Sequence, residues 1–205
     1  MKNMMKDAAI LLVITLFAGL VLGFVYQITK EPIALAEEKA AKEAYAEVFP
    51  EASEFEMLED SPSEAEMAEW EQAGFAGVTI ENVLSALDKD KSTMGYVLTV
   101  TSHEGYGGDI TFTMGICNDG TLNGISILSI SETAGLGMKA EAVLKPQFAG
   151  KNAAAFTYTK SGAVSDDQID AISGATITTN AVTTAVNGGL YYFQNWLGGG
   201  SDEAK

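Results

Sequence analysis

The chain has 205 residues, 47% of them hydrophobic and 20% charged, which suits one ordinary domain with additions rather than two large ones. Its 28 acidic residues outnumber 12 lysines, arginine is absent, and the net charge of −16 excludes nucleic-acid binding and any arginine-clamped phosphate site. One cysteine, Cys117, and one histidine, His103, exclude a disulfide framework, a cysteine-ligated iron–sulfur cluster and a His/Cys zinc site within the chain.

The first element in chain order is Ala8–Ile28, which carries no charged residue. At helical rise its 21 residues reach about 31 Å, the thickness of a bilayer's hydrocarbon core. It lacks the polar face of a soluble surface helix. It also outruns the apolar region of a secretory signal, although Ala34-Leu35-Ala36 looks like a cleavage site. The expectation is an uncleaved single-pass membrane helix over 8–28, with Tyr26 at the interface and Gly19 and Gly23 open to close approach by another helix. Lys2 and Lys6 precede the span and Lys30, Lys39 and Lys42 follow it, so lysine count does not orient it.

Residues 29–77 read as an acidic helical stalk and linker. Between Lys30 and Glu71, 14 acids face three lysines. Glu37–Phe49 is rich in helix formers, with Tyr45, Val48 and Phe49 as a short apolar stripe, and Pro50 stops it. Glu51–Glu71 reads as a solvated linker or lid, without the spacing of a calcium loop.

From Val78 the pattern turns to strands. Val78–Leu84, Met94–Thr101, Asp109–Cys117 and Leu122–Ser129 are rich in β-branched and aromatic residues, and turn clusters separate them, Asp119-Gly120 being a hairpin signal. Helices are expected near Lys139–Phe148 and Thr178–Leu197. The architecture this predicts is α+β: a mostly antiparallel sheet packed with helices over 78–197, then a flexible tail over 198–205.

The run Asp170-Ala171-Ile172-Ser173-Gly174-Ala175-Thr176, followed by Ile177-Thr178-Thr179, is a small-residue turn entering a helix. Free amides and the positive helix end converge there with several hydroxyls, an arrangement suited to an anion such as phosphate. The plain alternative is that the threonines cap the helix.

This D-x-x-S-G-A-T run resembles the flavinylation motif of the FMN-binding domain family. The resemblance implies that a flavin transferase joins the phosphate of FMN to Thr176 through a phosphoester, with Asp170, Ser173, Gly174 and Ala175 completing the recognition sequence. Thr178 and Thr179 are then phosphate or helix-start donors. Ser131–Gly137, reading S-E-T-A-G-L-G, is similar to the family's E-T-P-G-L-G segment, with Ala134 where proline is usual. It assigns Glu132, Thr133, Leu136 and Gly137 to the flanks of the flavin ring. Gly105–Gly108 resembles the family's G-Y-x-G loop and adds Tyr106, while Lys139 is a candidate partner for the phosphate or the reduced ring.

Together with the amino-terminal helix, these matches resemble the G subunits of Rnf ion-translocating ferredoxin:NAD oxidoreductases. They are similar too to the C subunits of sodium-translocating NADH:quinone reductases. The resemblance implies a cytoplasmic segment at 1–7, a span at 8–28, and an FMN-binding domain at 78–197 on the extracytoplasmic side of the cytoplasmic membrane. It implies an electron carrier without its own substrate, whose partners are the other membrane and iron–sulfur subunits of the complex and a flavin transferase. Ion movement then belongs to other subunits, since the single helix has no charged residue between 8 and 28.

Two readings of other classes are a pilin-like structural protein and an anchored solute-binding module. The first lacks its customary glutamate in the apolar helix, and the second predicts reversible binding that survives loss of Thr176. His103 reads as a surface residue, Cys117 as a small buried hydrophobe, and Trp70 and Trp196 as packing residues.

Overall fold

The computed structural model describes residues 2–58 and 62–198 and divides the chain into two units, Met1–Ala40 and Ala41–Lys205. Met1 of the expected cytoplasmic segment, Glu59–Ser61 of the expected linker, and the expected tail beyond Gly198 lie outside the described residues. The first element is a helix, α1, Lys2–Val48. The two helices expected over 8–28 and 37–49 belong to one helix, which runs on through residues 29–36 with Pro32 inside it. In the first unit, an 18-residue window of α1 reaches a mean hydropathy of 2.8. Its large apolar side chains, Ile10 to Leu35, point outward, an arrangement that hydrocarbon satisfies and water does not.

The second unit is built on five strands: β1 (Glu54–Met57), β2 (Val78–Leu87), β3 (Thr93–Ser102), β4 (Ile110–Cys117) and β5 (Leu122–Ile130). They pair in sequence order, antiparallel throughout. A bulge between Ile80 and Asn82 switches the side-chain alternation of β2, so that Ile80 and Val83 both face one core. That core joins Leu98, Val100, Phe112 and Met114 of the sheet to Ala181, Val182, Ala185, Val186 and Leu190 of the long carboxy-terminal helix, Thr176–Tyr192. On the other face, Val48 and Phe49 pack on Leu84, Ala86 and Val97.

Three local departures from expectation have physical causes. The segment expected to be a solvated linker carries β1 and a helix, α2 (Glu64–Trp70), started by a reciprocal Ser63–Glu66 capping box. Trp70 at its end is fully buried and anchors it among Phe75 and Tyr192, while the Tyr192 hydroxyl donates to Glu66 at 2.9 Å. The single helix expected near Lys139–Phe148 is a 3-10 turn, Gly137–Lys139, then two one-turn pieces, α3 (Ala140–Val143) and α4 (Lys145–Phe148). Pro146 in the first turn of α4 supplies no N–H to carry one helix through. Finally, β6 (Thr157–Thr159) and β7 (Gln168–Asp170) form a short parallel pair, too brief to announce itself by alternation. The long helix that follows, Thr176–Tyr192, is α5.

Candidate functional site

Three connections converge beside the start of α5: the β3–β4 loop, the β5–α3 loop, and the turn from β7. They wall a cleft of about 510 Å³, lined by Tyr106, Glu132, Thr133, Leu136, Gly137, Gly174, Ala175, Thr176, Ile177 and Thr178. The Gly174 backbone sits at φ +79°, left-handed, which glycine adopts without strain. A side chain there would press on Leu136, so the two loops touch across this position. Gly137 allows a closer approach. A Cβ on it would lie 2.6 Å from the Thr178 hydroxyl and 2.7 Å from Oε2 of Glu132.

Glu132 ties the loops together. It is 9% exposed, and its Oε1 accepts from the amides of Tyr106 at 2.7 Å and Gly107 at 3.3 Å. The phenol of Tyr106 remains 70% exposed at the rim.

α5 opens on Ala175 as its N-cap, with no side-chain cap hydrogen bond. Its first backbone bond runs from the Thr179 amide to the Ala175 carbonyl at 3.0 Å. The amides of Thr176, Ile177 and Thr178 therefore precede the helical ladder, where the helix end is positive. Thr176 is the first helical residue and is half-buried in the wall of the cleft. Thr178 is buried against Gly137.

The structure thus gathers Thr176, Gly174, Ala175, Thr178, Glu132, Thr133, Leu136, Gly137 and Tyr106 around one cavity. Asp170, Ser173, Thr179 and Lys139 do not line it. Asp170 is the last residue of β7, and its carboxylate accepts from the Ala163 amide at 2.8 Å. Ser173 is exposed on the turn. Thr179 is fully buried: its hydroxyl accepts from the Ile172 amide at 3.1 Å and donates to the Ala175 carbonyl at 2.9 Å, so it holds the turn itself. Lys139 is exposed at the end of the 3-10 turn.

Sequence reasoning missed two residues. Ile177, 52% exposed, lines the cleft, and an apolar side chain beside the motif threonine was the available signal. Gln147 on α4 braces the turn through the backbone of Asp170, and no sequence pattern announces such a contact.

The other singled-out residues take structural places. His103 lies between Asp109, 3.1 Å from Nδ1, and the Thr79 hydroxyl, 2.9 Å from Nε2. Cys117 is only partly buried at the end of β4, not the fully buried hydrophobe expected, and its partial burial, with the nearby charges of Asp119 and Glu51 adding to it, pushes the thiol up. Trp196 packs on Tyr191 and Tyr192.

The cavity fits FMN by its own chemistry. Leu136 and Ile177 offer apolar contact to a flat ring, small residues leave the space, and the helix start offers amides and hydroxyls to a phosphate.

Comparison with known proteins bears on the same residues. A family model described as FMN-binding domain matches residues 105–191, and one described as RnfG N-terminal region matches residues 1–48. The G subunit of the Na(+)-translocating ferredoxin:NAD(+) oxidoreductase complex of Acetobacterium woodii is 32% identical over 199 residues, 95% of this chain and 93% of that one. The chain belongs to the family of G subunits of ion-translocating oxidoreductase complexes. Within this family, the G subunit of the ion-translocating oxidoreductase complex of Methanosarcina acetivorans is 29% identical, covering 93% of this chain and 95% of its own. The crystal structure of Shewanella oneidensis NqrC aligns with a TM-score of 0.47 and 21% identity, over 57% of this chain and 58% of that one. In this member of the G-subunit family, the cleft lies inside the matched FMN-binding region. The apolar helix lies inside the matched amino-terminal region, where it serves as the membrane anchor.

Proposed function

We propose that the chain is the flavin-bearing electron carrier of an ion-translocating ferredoxin:NAD oxidoreductase complex, with FMN held covalently through Thr176. The observation that carries this reading is the position of Thr176. It opens α5, next to amides outside the helical ladder, and lines the cavity that the other loops complete. A phosphate bonded to its hydroxyl oxygen gains the helix-start field without any arginine. The attachment balances as a phosphoryl transfer from a flavin donor activated as a phosphoanhydride: the Oγ–P bond forms as the anhydride P–O bond breaks, the hydroxyl proton leaves with the displaced phosphate group, and the chain gains the mass of FMN less one water.

Bound there, the flavin supplies the redox chemistry, while the protein supplies position, electrostatics and access. Leu136 and Ile177 give the ring apolar contact, Glu132 fixes the loop that carries Tyr106, and Thr178 offers a donor near the phosphate. The rim stays open through the exposed side chains of Tyr106, Leu136 and Ile177, which suits electron exchange with a neighbouring subunit.

Residues 1–7 are cytoplasmic in this reading, 8–28 cross the membrane, 29–77 are stalk and linker, and the FMN-binding domain at 78–197 is extracytoplasmic. The partners are the other membrane and iron–sulfur subunits of the complex, and a flavin transferase serves maturation. Covalent attachment suits that compartment, because a dissociated cofactor would be lost from it.

The test is an intact mass of the denatured chain, made in cells with an active flavin transferase, beside Thr176→Val. A gain equal to FMN less one water, absent from the variant, is expected. An unmodified wild-type chain from such cells refutes the covalent reading.

A further inference from the structure

Among the described residues, Glu132 is the one charged side chain lining the cleft. It is almost fully buried, its Oε1 accepts from the backbone amides of Tyr106 and Gly107, and none of the described lysines lines the cavity with it. Its second oxygen, Oε2, packs against Gly137, 2.7 Å from where a Cβ on that glycine would stand. A carboxylate that merely aided solubility would sit in water. Glu132 ties two loops, and because it does so from the wall of the cleft and out of water, its charge also acts on whatever occupies the cleft.

We propose that Glu132 is a redox-tuning residue, whose fixed negative charge lowers the potential of the bound flavin and holds its reduced ring in the neutral, protonated form. The inference rests on the FMN reading above. The oxidised ring is neutral. It takes two electrons and two protons to become neutral reduced flavin, or two electrons and one proton to become the anion. A carboxylate within the same small cavity opposes the anion and barely touches the neutral forms. At the effective dielectric of a partly buried site, a unit charge a few ångströms away is worth about tenfold or more in that balance.

No basic side chain lines the cleft to neutralise this charge, and the Tyr106 and Gly107 amides engage only Oε1. The β5–α3 loop brings Glu132 and the hydroxyl of Thr133, the β3–β4 loop brings the phenol of Tyr106, and α5 brings hydroxyls, apolar groups and the free amides of its first turn, but no charged side chain. Lys139 lies outside the lining set, and the positive start of α5 is matched by the phosphate it would hold.

Glu132→Gln separates charge from geometry, because the amide oxygen still accepts from Tyr106 and Gly107. Glu132→Asp keeps the charge and shortens the reach. The FMN-loaded full-length chain in detergent is titrated with redox mediators supplying the electrons and buffer the protons, from pH 5.5 to 9. In Glu132→Gln the ratio of reduced to oxidised flavin at fixed potential is expected to rise about tenfold, equivalent to about 30 mV for a two-electron couple. The pH at which the reaction changes from two protons to one should move down, while Glu132→Asp stays near wild type in both. Absorbance reports only loaded molecules, so reduced loading of a variant does not obscure the reading. A loaded Glu132→Gln chain with unchanged potential and pH profile overturns the proposal alone, as does Glu132→Asp shifting as far as Glu132→Gln. A wild-type chain found without FMN by mass overturns the covalent reading instead, and this proposal with it.

Discussion

Gln147 forms a two-point amide pair with the backbone of Asp170: its Oε1 accepts from the Asp170 N–H at 2.6 Å, and its Nε2 donates to the Asp170 carbonyl at 3.1 Å. The same Nε2 donates to the Val143 carbonyl, so one side chain fastens α3 and α4 to the strand that feeds the attachment turn. Gln147→Glu keeps the size and the acceptor but turns the donor into a second acceptor facing a carbonyl. It should cost about 1 kcal/mol of stability, since Asp170 is exposed and water replaces part of the loss. It should also lower FMN loading when the transferase is limiting. Thermal unfolding and intact mass measure the two effects, and loading equal to wild type would remove Gln147 from the support of the turn.

Thr176 and Thr179 sit three residues apart and divide their work. Thr179 is fully buried and satisfies the Ile172 amide, so Thr179→Val leaves a buried N–H without its acceptor and should destabilise the domain by about 1–3 kcal/mol. Thr176→Val, half-buried at the cleft wall, should change stability by less than about 0.5 kcal/mol while abolishing the adduct. Denaturant midpoints beside adduct mass check both. Equal destabilisation by the two variants would contradict the division.

Gly137→Ala tests whether the tight neck of the cleft is needed. The new methyl would collide with Thr178 and with both the Cβ and Oε2 of Glu132, groups held on two different elements. Overpacking of this kind costs about 1–3 kcal/mol and should displace the Tyr106 loop through Glu132. The flavin absorbance bands of the loaded protein should shift, and amide exchange at Tyr106 and Gly107 should speed up. Slow exchange there, as in wild type, counts against the coupling.

Strands β2–β5 were legible because Val, Ile and Thr alternate between clear turn signals, and the bulge at Ile80 was not, because it depends on register. The acidic stretch Glu51–Glu71 misled because its nine acids masked the apolar side chains that place it, Phe55 of β1 and Trp70 of α2, the latter read as a packing residue but not as the anchor of a helix. Most of the cleft was readable through the resemblance of two short motifs, about forty residues apart along the chain. Spacing alone did not separate Thr179, which builds the turn, from Thr176, which lines the cleft. That distinction is one of burial and hydrogen bonding, and only the folded backbone supplies it.

Glu47, in the last turn of α1, ties that turn to α4 through Lys145, 2.7 Å away, and to β5 through the hydroxyl of Ser126. The hydrogen bond from Lys145, then that from Ser126, hold its carboxyl below the ordinary value of 4.5, against a smaller opposing effect of burial. A carboxyl whose folded pKa is depressed contributes stability above its unfolded pKa and loses it as pH falls through the folded value. The contribution is therefore intact at neutral pH, and it disappears below about pH 4.5 as Glu47 protonates. Lys145→Met removes the main cause. The variant should be less stable than wild type at pH 7, and the two melting curves should converge as pH drops toward 3. Because Glu47 is about half exposed, added salt should shrink the gap. A gap that stays constant from pH 7 to 3 would mean that Lys145 acts by packing its alkyl chain rather than by its charge.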